Sequence, residues 1–450
     1  MFSALKPIEI LPLLKVVALW TGWLFSWGLS TAAQPPLQEP PGSRITVTGR
    51  TMGPIVYRVV IHRPSAELSE DVVGQAVQEA LDKVNRLMST YLADSDVTRF
   101  NQSRTTDWFE VDFDTAAVVA RSLEISQLTA GAFDITVAPA VNRWKFGPEK
   151  QQNDFQVPSE EEIRSLKALV GYQNLAASLD PPRIRKSIPE LTIDLSGIAK
   201  GYATDQVAAA LDRLNCQSFM VEVGGEVFVR GNRADGTPWR IGIEKPSDSV
   251  VGQPQAVALL TNQAIATSGD YRNFFEIDGQ RYSHTIDPAT CQPVNNDLAL
   301  ASIIADDCMT ADAFATAVLV LGEAAGFELC GKLGLPLFVA AHSSVDDPFL
   351  FNHSTDFPIL ELNDTKTGQQ GQGKRQQVAK AGFAAQIWPI FLATLIIFSI
   401  AILAMAIGTI FGQRPISGSC GGLANRQNAA GETVCGVCSK PSIDCKENQP

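Results

Sequence analysis

The stretch "TADAFAT", Thr310 to Thr316, sets a carboxylate and a hydroxyl four residues apart. At the start of a helix, Asp312 and Thr316 share a face. Both offer hard oxygen atoms, suited to Mg2+ and not to Zn2+. The competing explanation is local: an acidic residue favoured by the helix dipole, and a threonine bonded back to its own helix. A second stretch, "IDLSGIAKGYATD" (Ile193 to Asp205), runs an apolar strand end, small residues and Gly197 into a helix. Backbone groups often approach a ligand at such places. The G-x-x-x-x-G-K-[ST] spacing of a P-loop is absent. In "MVEVGGEVFV", Gly224-Gly225 falls inside a strand pattern, which predicts a bulge or a closely approaching ligand. His284, flanked by Ser283 and Asp287, can take a proton from a hydroxyl nucleophile near pH 7. A histidine in a strand is also a common satisfied core residue, and no nucleophile elbow lies nearby to suggest a hydrolase triad.

These residues need a scaffold, and the patterning supplies one. "RITVTGRTMGPIVYRVVI" alternates and predicts two strands around a turn at Met52-Gly53-Pro54. "SEDVVGQAVQEALDKVNRLMSTY" carries apolar residues at helical spacing, with Ser69 as its N-cap. "DTAAVVARSLEISQLTAGA" and "GYATDQVAAALDRL" read as two further helices, and "MTADAFATAVLVLGEAAGFELCGKL" as one long helix. "SFMVEVGGEVFVRG", "PWRIGIEKP" and "PLFVAA" read as strands, the last closing the domain. Strands and helices do not alternate one for one, so the fold class is α+β and not a doubly wound sheet. The net charge of −12 and the lack of a long basic run argue against a nucleic-acid partner. Only His62, His284, His342 and His353 are available for histidine chemistry.

Two segments are membrane-directed. Residues 1–33 combine Lys6 and Lys15 with the apolar "VVALWTGWLFSWGLSTAA", the pattern of a signal peptide or signal anchor. Residues 386–411 include 25 consecutive uncharged residues from Ile387 to Phe411, enough to cross a hydrocarbon core of about 30 Å. A Pro-rich linker (34–44) and a Gln- and Gly-rich linker (363–385) flank a globular unit at 45–362. With the N-terminus inside, the globular unit faces the outside of the membrane and residues 412–450 face the cytoplasm. That tail holds Cys420, Cys435, Cys438 and Cys445. Two disulfides, a zinc site and an iron or iron–sulfur site all fit four thiols; disulfides require an oxidising side.

In order, "MSTYLADSDVTRFN", "TAGAFDITVAPAVNRWKFGP", "IDLSGIAKGYATD", "VEVGGEVFVRG", "ATSGDYRNFF", "YSHTIDPATCQPV" and "TADAFAT" resemble the ApbE-type FAD:protein FMN transferases over residues 45 to 345. The resemblance implies a T-fold-type α+β domain and an enzyme that takes FAD as donor. Such enzymes join FMN to a threonine hydroxyl of an acceptor flavoprotein by a phosphoester and release AMP. It implies Mg2+ held by Asp312, Thr316 and the backbone carbonyl of Gly197, with His284 activating the acceptor threonine. It places Met52, Tyr91, Ala132, Phe133, Asp134, Asp194 and Lys200 at FAD-contacting positions. Two departures stand out: Pro54 replaces a threonine with Tyr57 one position late, and Cys291 replaces a glycine. Residues from about Ile387 to Cys445 resemble the NqrM family, single-span proteins needed to mature the Na+-translocating NADH:quinone oxidoreductase. That likeness implies iron at the tail cysteines, acceptor subunits in that complex, and the bacterial inner membrane, with the catalytic domain on the periplasmic side. The alternatives are a metal-dependent FAD pyrophosphatase and a non-enzymatic membrane carrier with flavin and iron–sulfur centres.

Overall fold

Strand alternation in this chain buries both parities. Along residues 59–61, Val59 and Ile61 enter one core while Val60 enters another; Phe228 likewise opposes Val227 and Val229, and Phe338 opposes Leu337 and Val339. Side chains alternate faces along a strand, so such a sheet must be covered on both sides. The computed structural model describes residues 43–147, 156–246, 254–270, 274–277, 280–342 and 349–362, and there the sheet is the central layer. Its eight strands are β1 (Arg44–Thr51), β2 (Ile55–His62), β3 (Phe219–Val223), β4 (Glu226–Arg230), β5 (Gln263–Gly269), β6 (Leu298–Ala305), β7 (Leu337–His342) and β8 (Phe349–His353). They lie side by side in chain order, every neighbouring pair antiparallel.

One face carries helices. Helices α1 (Glu70–Met88), α2 (Phe113–Leu128), α3 (Ala199–Arg213), α4 (Cys308–Leu321) and α5 (Glu323–Leu333) arise from insertions between the strands. Helices α1 and α4 pack on α3, and α4 lies over β5 and β6. The other face carries a three-stranded sheet of Ile359–Leu362, Pro254–Leu260 and Trp239–Glu244, in that order. The α+β expectation holds, as do the Met52–Pro54 hairpin and the Ser69 cap, whose Oγ accepts from Val72 N at 3.3 Å.

Several local expectations differ. Gly224-Gly225 is not a bulge within one strand but the two-residue turn joining β3 to β4, with φ of +65° and +106°. The long C-terminal helix is two helices, because Gly322 (φ +80°) leaves helical space between α4 and α5. Residues 193–195 form no strand before α3. "PLFVAA" does not close the domain; β8 and Ile359–Leu362 follow it. The expected signal segment, polar linker, span and cysteine tail lie outside the described residues, as does nearly all of the Pro-rich linker. Among the described residues, no helix is long and apolar enough to cross a membrane.

Candidate active site

The N-termini of α3 and α4 abut and exchange carboxylates. The first turn of any helix leaves N–H groups without intrahelical partners. Helix α4 has its own cap, Asp307, which accepts from Thr310 N at 2.7 Å. Its Cys308 and Met309 N–H groups, however, donate to Asp205 of α3, each at 2.8 Å. In return Gly201 N of α3 donates to Asp312 of α4 at 3.0 Å. Ile198, the residue preceding α3, offers no capping side chain, so Asp312 takes that task from across the interface. Burial pushes the Asp205 carboxyl up to about 7, against the pull of its two N–H donors.

Asp312 is also half of an ion-pair site. Lys200 Nζ lies 3.4 Å from Asp312 Oδ1 and closer still to Glu226 Oε1. Both carboxylates are almost fully buried, whereas the lysine side chain keeps 30% of its surface exposed. Burial opposes the lysine's charge, but Asp312 and Glu226 outweigh it and hold the ammonium above the usual lysine range. Glu226 is pushed upward by burial; Lys200 opposes this and Asp312 adds to it.

Thr316 lies one turn on from Asp312. Its Oγ1 is 3.2 Å from Ser268 Oγ at the end of β5, so it has a partner outside its own helix. A Cβ added to Gly197 would stand 3.3 Å from Thr316 Oγ1 and 3.4 Å from Phe133 Cε2. The structure therefore gathers Phe133, Gly197, Lys200, Asp312 and Thr316 into one contiguous group. Its donors are a carboxylate, hydroxyls and glycine backbone, all oxygen, which suits a hard divalent cation. Among the described residues no group of three or more His, Cys, Asp or Glu side chains gathers to hold a metal. Any cation here depends on hydroxyl and backbone oxygens beside Asp312.

The other predicted contacts have separate local tasks. Met52 sits in the hairpin turn at φ +47°, beside Gly53 at +81°. The turn end of the hairpin meets the Gly224-Gly225 turn, where Gly224 N donates to Val56 O at 2.9 Å. Tyr57 is a core residue over Gly49, with its hydroxyl on Gln78. Tyr91 is 69% exposed on the loop after α1. Ala132 precedes the buried Phe133. Asp134 accepts from Thr136 N, Thr136 Oγ1 and Tyr172 N at 2.7–2.8 Å, so it braces a turn. Asp194 accepts from Ser196 N at 2.8 Å, shaping the approach to Gly197.

His284 stands at a bend after the strand Gln280–Ser283, half-buried, and an aromatic stack supports it. Its ring meets the edge of Phe146 at 6.3 Å; Phe146 stacks on Phe275 at 4.9 Å, Phe275 on Tyr282 and Tyr282 on Trp144, each at 5.5 Å. Trp144 Nε1 donates to Cys291 O at 2.9 Å. Cys291 occupies left-handed space at φ +56° and its N–H reaches Asp287 O at 2.8 Å. The turn after His284 thus closes with a cysteine where glycine has no steric cost.

The ApbE family model matches residues 48–339. The chain belongs to the ApbE family. A FAD:protein FMN transferase of Vibrio cholerae is 40% identical over 325 residues, 72% of this chain and 94% of that protein. One from Escherichia coli is 37% identical, covering 72% and 91%. Among solved structures, the flavin transferase ApbE of Vibrio cholerae superposes with a TM-score of 0.63 at 38% identity, over 70% of this chain and 98% of that one. The Thermotoga maritima ApbE protein gives 0.61 at 29% identity, over 69% and 97%.

Motif reading missed Glu226, Ser268 and Asp205, which contact Lys200, Thr316 and the first turn of α4 respectively. Each lay inside a quoted stretch. The available signal was an acidic residue directly after a Gly-Gly turn in otherwise apolar strands.

Proposed function

We propose that this chain is a Mg2+-dependent FAD:protein FMN transferase that joins FMN to threonine of acceptor proteins and releases AMP. The observation that carries it is the single group formed by Phe133, Gly197, Lys200, Asp312 and Thr316 at two helix N-termini. The Lys200 ammonium favours the phosphates of a dinucleotide, while the N–H groups of Gly201, Cys308 and Met309 are given to carboxylates that hold the two helix ends in place. Asp312, Thr316 and the Gly197 carbonyl would hold Mg2+, which when bound neutralises charge on the pyrophosphate. Phe133 and Tyr91 offer aromatic surface to the ring systems of FAD. The acceptor threonine oxygen bonds to the FMN-side phosphorus, the anhydride bond to the AMP phosphate breaks, and AMP departs. His284 takes the hydroxyl proton, a role for which an imbedded but half-exposed imidazole is suited.

The test is full-length chain with Mg2+, FAD and an acceptor fragment bearing its threonine, read by intact mass. A gain of one FMN phosphoester, absent in His284→Ala, is expected. Free FMN without labelling overturns the transferase in favour of a pyrophosphatase; bound, uncleaved FAD overturns it in favour of a flavin carrier.

The reading extends to placement and partners. The apolar run Ile387–Phe411 and the N-terminal segment support anchoring in a bacterial inner membrane with the transferase on the periplasmic side. The NqrM-like tail supports the Na+-translocating NADH:quinone oxidoreductase as acceptor, with iron at Cys420, Cys435, Cys438 and Cys445. Release of the chain by a carbonate wash refutes the anchor, and a pump subunit that stays unlabelled refutes that acceptor.

A further inference from the structure

Lys200 is shared unequally. Its ammonium pairs with Glu226 Oε1 at close range and with Asp312 Oδ1 at 3.4 Å. Asp312 is the one carboxylate in the donor set described above. An ammonium resting on it competes with any cation that site receives, and a like charge arriving there repels the lysine. Something must hold the lysine back. Glu226 is 2% exposed, and its second oxygen, Oε2, is buried with no hydrogen-bond partner. A buried carboxylate with one orphan oxygen is costly, so its one strong partner dominates its position. The Gly224-Gly225 turn makes this placement possible. A Cβ at Gly224 would stand 3.6 Å from Lys200 Cδ, in ordinary contact with the lysine stem, and 3.0 Å from Ile55 Cγ2, where it would be tight. The turn also sets Glu226 at the first position of β4, directly beside the lysine's path.

We infer that Glu226 is a positioning residue, holding the Lys200 ammonium off Asp312 so that the Asp312 carboxylate is free to receive a divalent cation. The inference rests on Asp312 being a cation ligand. Glu226 acts through the lysine and is not itself a ligand. Without Glu226, the ammonium settles on Asp312 and the site becomes neutral and closed to a cation. With both Glu226 and Lys200 neutralised, Asp312 is free again.

The test is Mn2+ binding to the full-length chain without FAD, followed through the spin-resonance signal of free Mn2+, with Asp312→Asn as the blank for binding elsewhere. Glu226→Gln should weaken Mn2+ binding roughly tenfold, the scale of one nearby charge pair partly screened by solvent. Lys200→Gln alone should change Mn2+ binding by less than about twofold. The double variant Lys200→Gln/Glu226→Gln should recover to within about threefold of wild type, a non-additivity expected for residues that act as a pair. A Lys200→Gln protein that binds about tenfold tighter, so that the two single effects simply add, overturns the inference. A double variant as weak as Glu226→Gln overturns the inference, because Glu226 then attracts the cation directly. Unchanged affinity in Glu226→Gln also overturns it while leaving Asp312 as a ligand. Wild-type binding no tighter than Asp312→Asn removes the cation site itself and the inference with it. If Glu226→Gln fails to fold, Glu226→Asp takes its place: the shorter carboxylate loosens the lysine and should weaken Mn2+ in the same direction.

Discussion

Gly201→Ala tests whether the two helix N-termini must touch. A Cβ on Gly201 would stand 2.3 Å from Cys308 O, 2.7 Å from Cys308 C and 2.8 Å from Met309 Cα. All three atoms are backbone of the first turn of α4, so no rotamer change relieves the clash. Ordinary contact begins near 3.4 Å, so α3 and α4 must part by about 1 Å. That stretches the 3.0 Å bond from Gly201 N to Asp312 to about 4 Å, beyond hydrogen-bonding length, and strains the two bonds to Asp205 as well. Overpacking of this kind costs about 1–3 kcal/mol, and a lost buried hydrogen bond about 1 more. The expected destabilisation is therefore about 2–4 kcal/mol by urea denaturation. Displacing Asp312 by about 1 Å should slow FMN transfer about 100-fold in the intact-mass assay. Gly331→Ala in α5 is the control: nothing lies within 4 Å of its added Cβ, and it should be neutral or stabilising by about 0.5–1 kcal/mol. A Gly201→Ala protein with wild-type stability and rate would show that this interface is not close-packed and refute the reasoning.

Three further outcomes are expected. Lys186 is fully buried, its Nζ donating to Leu191 O at 2.8 Å and Phe100 O at 3.2 Å, and burial lowers it from 10.5 to about 8. Between pH 8 and 10.5 the unfolded chain holds more of this proton, so the residue's contribution to stability rises with pH across that window and is lost as pH falls through 8. Plotting the stability difference between wild type and Lys186→Met against pH should show that slope; a flat difference sinks the assignment. Phe146→Leu removes the ring on which His284 rests and should slow transfer about tenfold with FAD affinity within about twofold, measured by single turnover and flavin titration. Tyr91→Ala, at an exposed position, should weaken FAD binding about fivefold with no change in melting temperature; equal loss of stability would mean the ring serves the fold instead.

The elements that were legible in the sequence are those set by neighbours along the chain. Ser69 caps α1 because its oxygen needs only Val72 N, three residues on. Met52-Gly53-Pro54 turns because the two flanking runs alternate and Gly53 accepts φ of +81°. Asp312 and Thr316 share a face because a helix returns every 3.6 residues. The misreadings share a cause. The two-residue turn swaps faces, Val221 and Val223 entering one core and Val227 and Val229 the other, but both faces of this sheet are buried, so "MVEVGGEVFV" alternates alike whether it is one strand or two. Helices α4 and α5 are both apolar, so periodicity runs on through Gly322 and only its φ of +80° divides them.

The motifs thus determined the family, the mixed class and the residue types available for phosphate chemistry. What they could not contain is which charges meet. Lys200, Glu226 and Asp312 are separated by strands and helices whose order only the antiparallel sheet establishes. Asp205 and Asp312 each accept from backbone N–H groups of the other's helix because Gly201 lets two helix ends touch. Tertiary structure decided these pairings because burial in a low dielectric makes an unpaired charge costly, and only the folded arrangement brings its partner within reach.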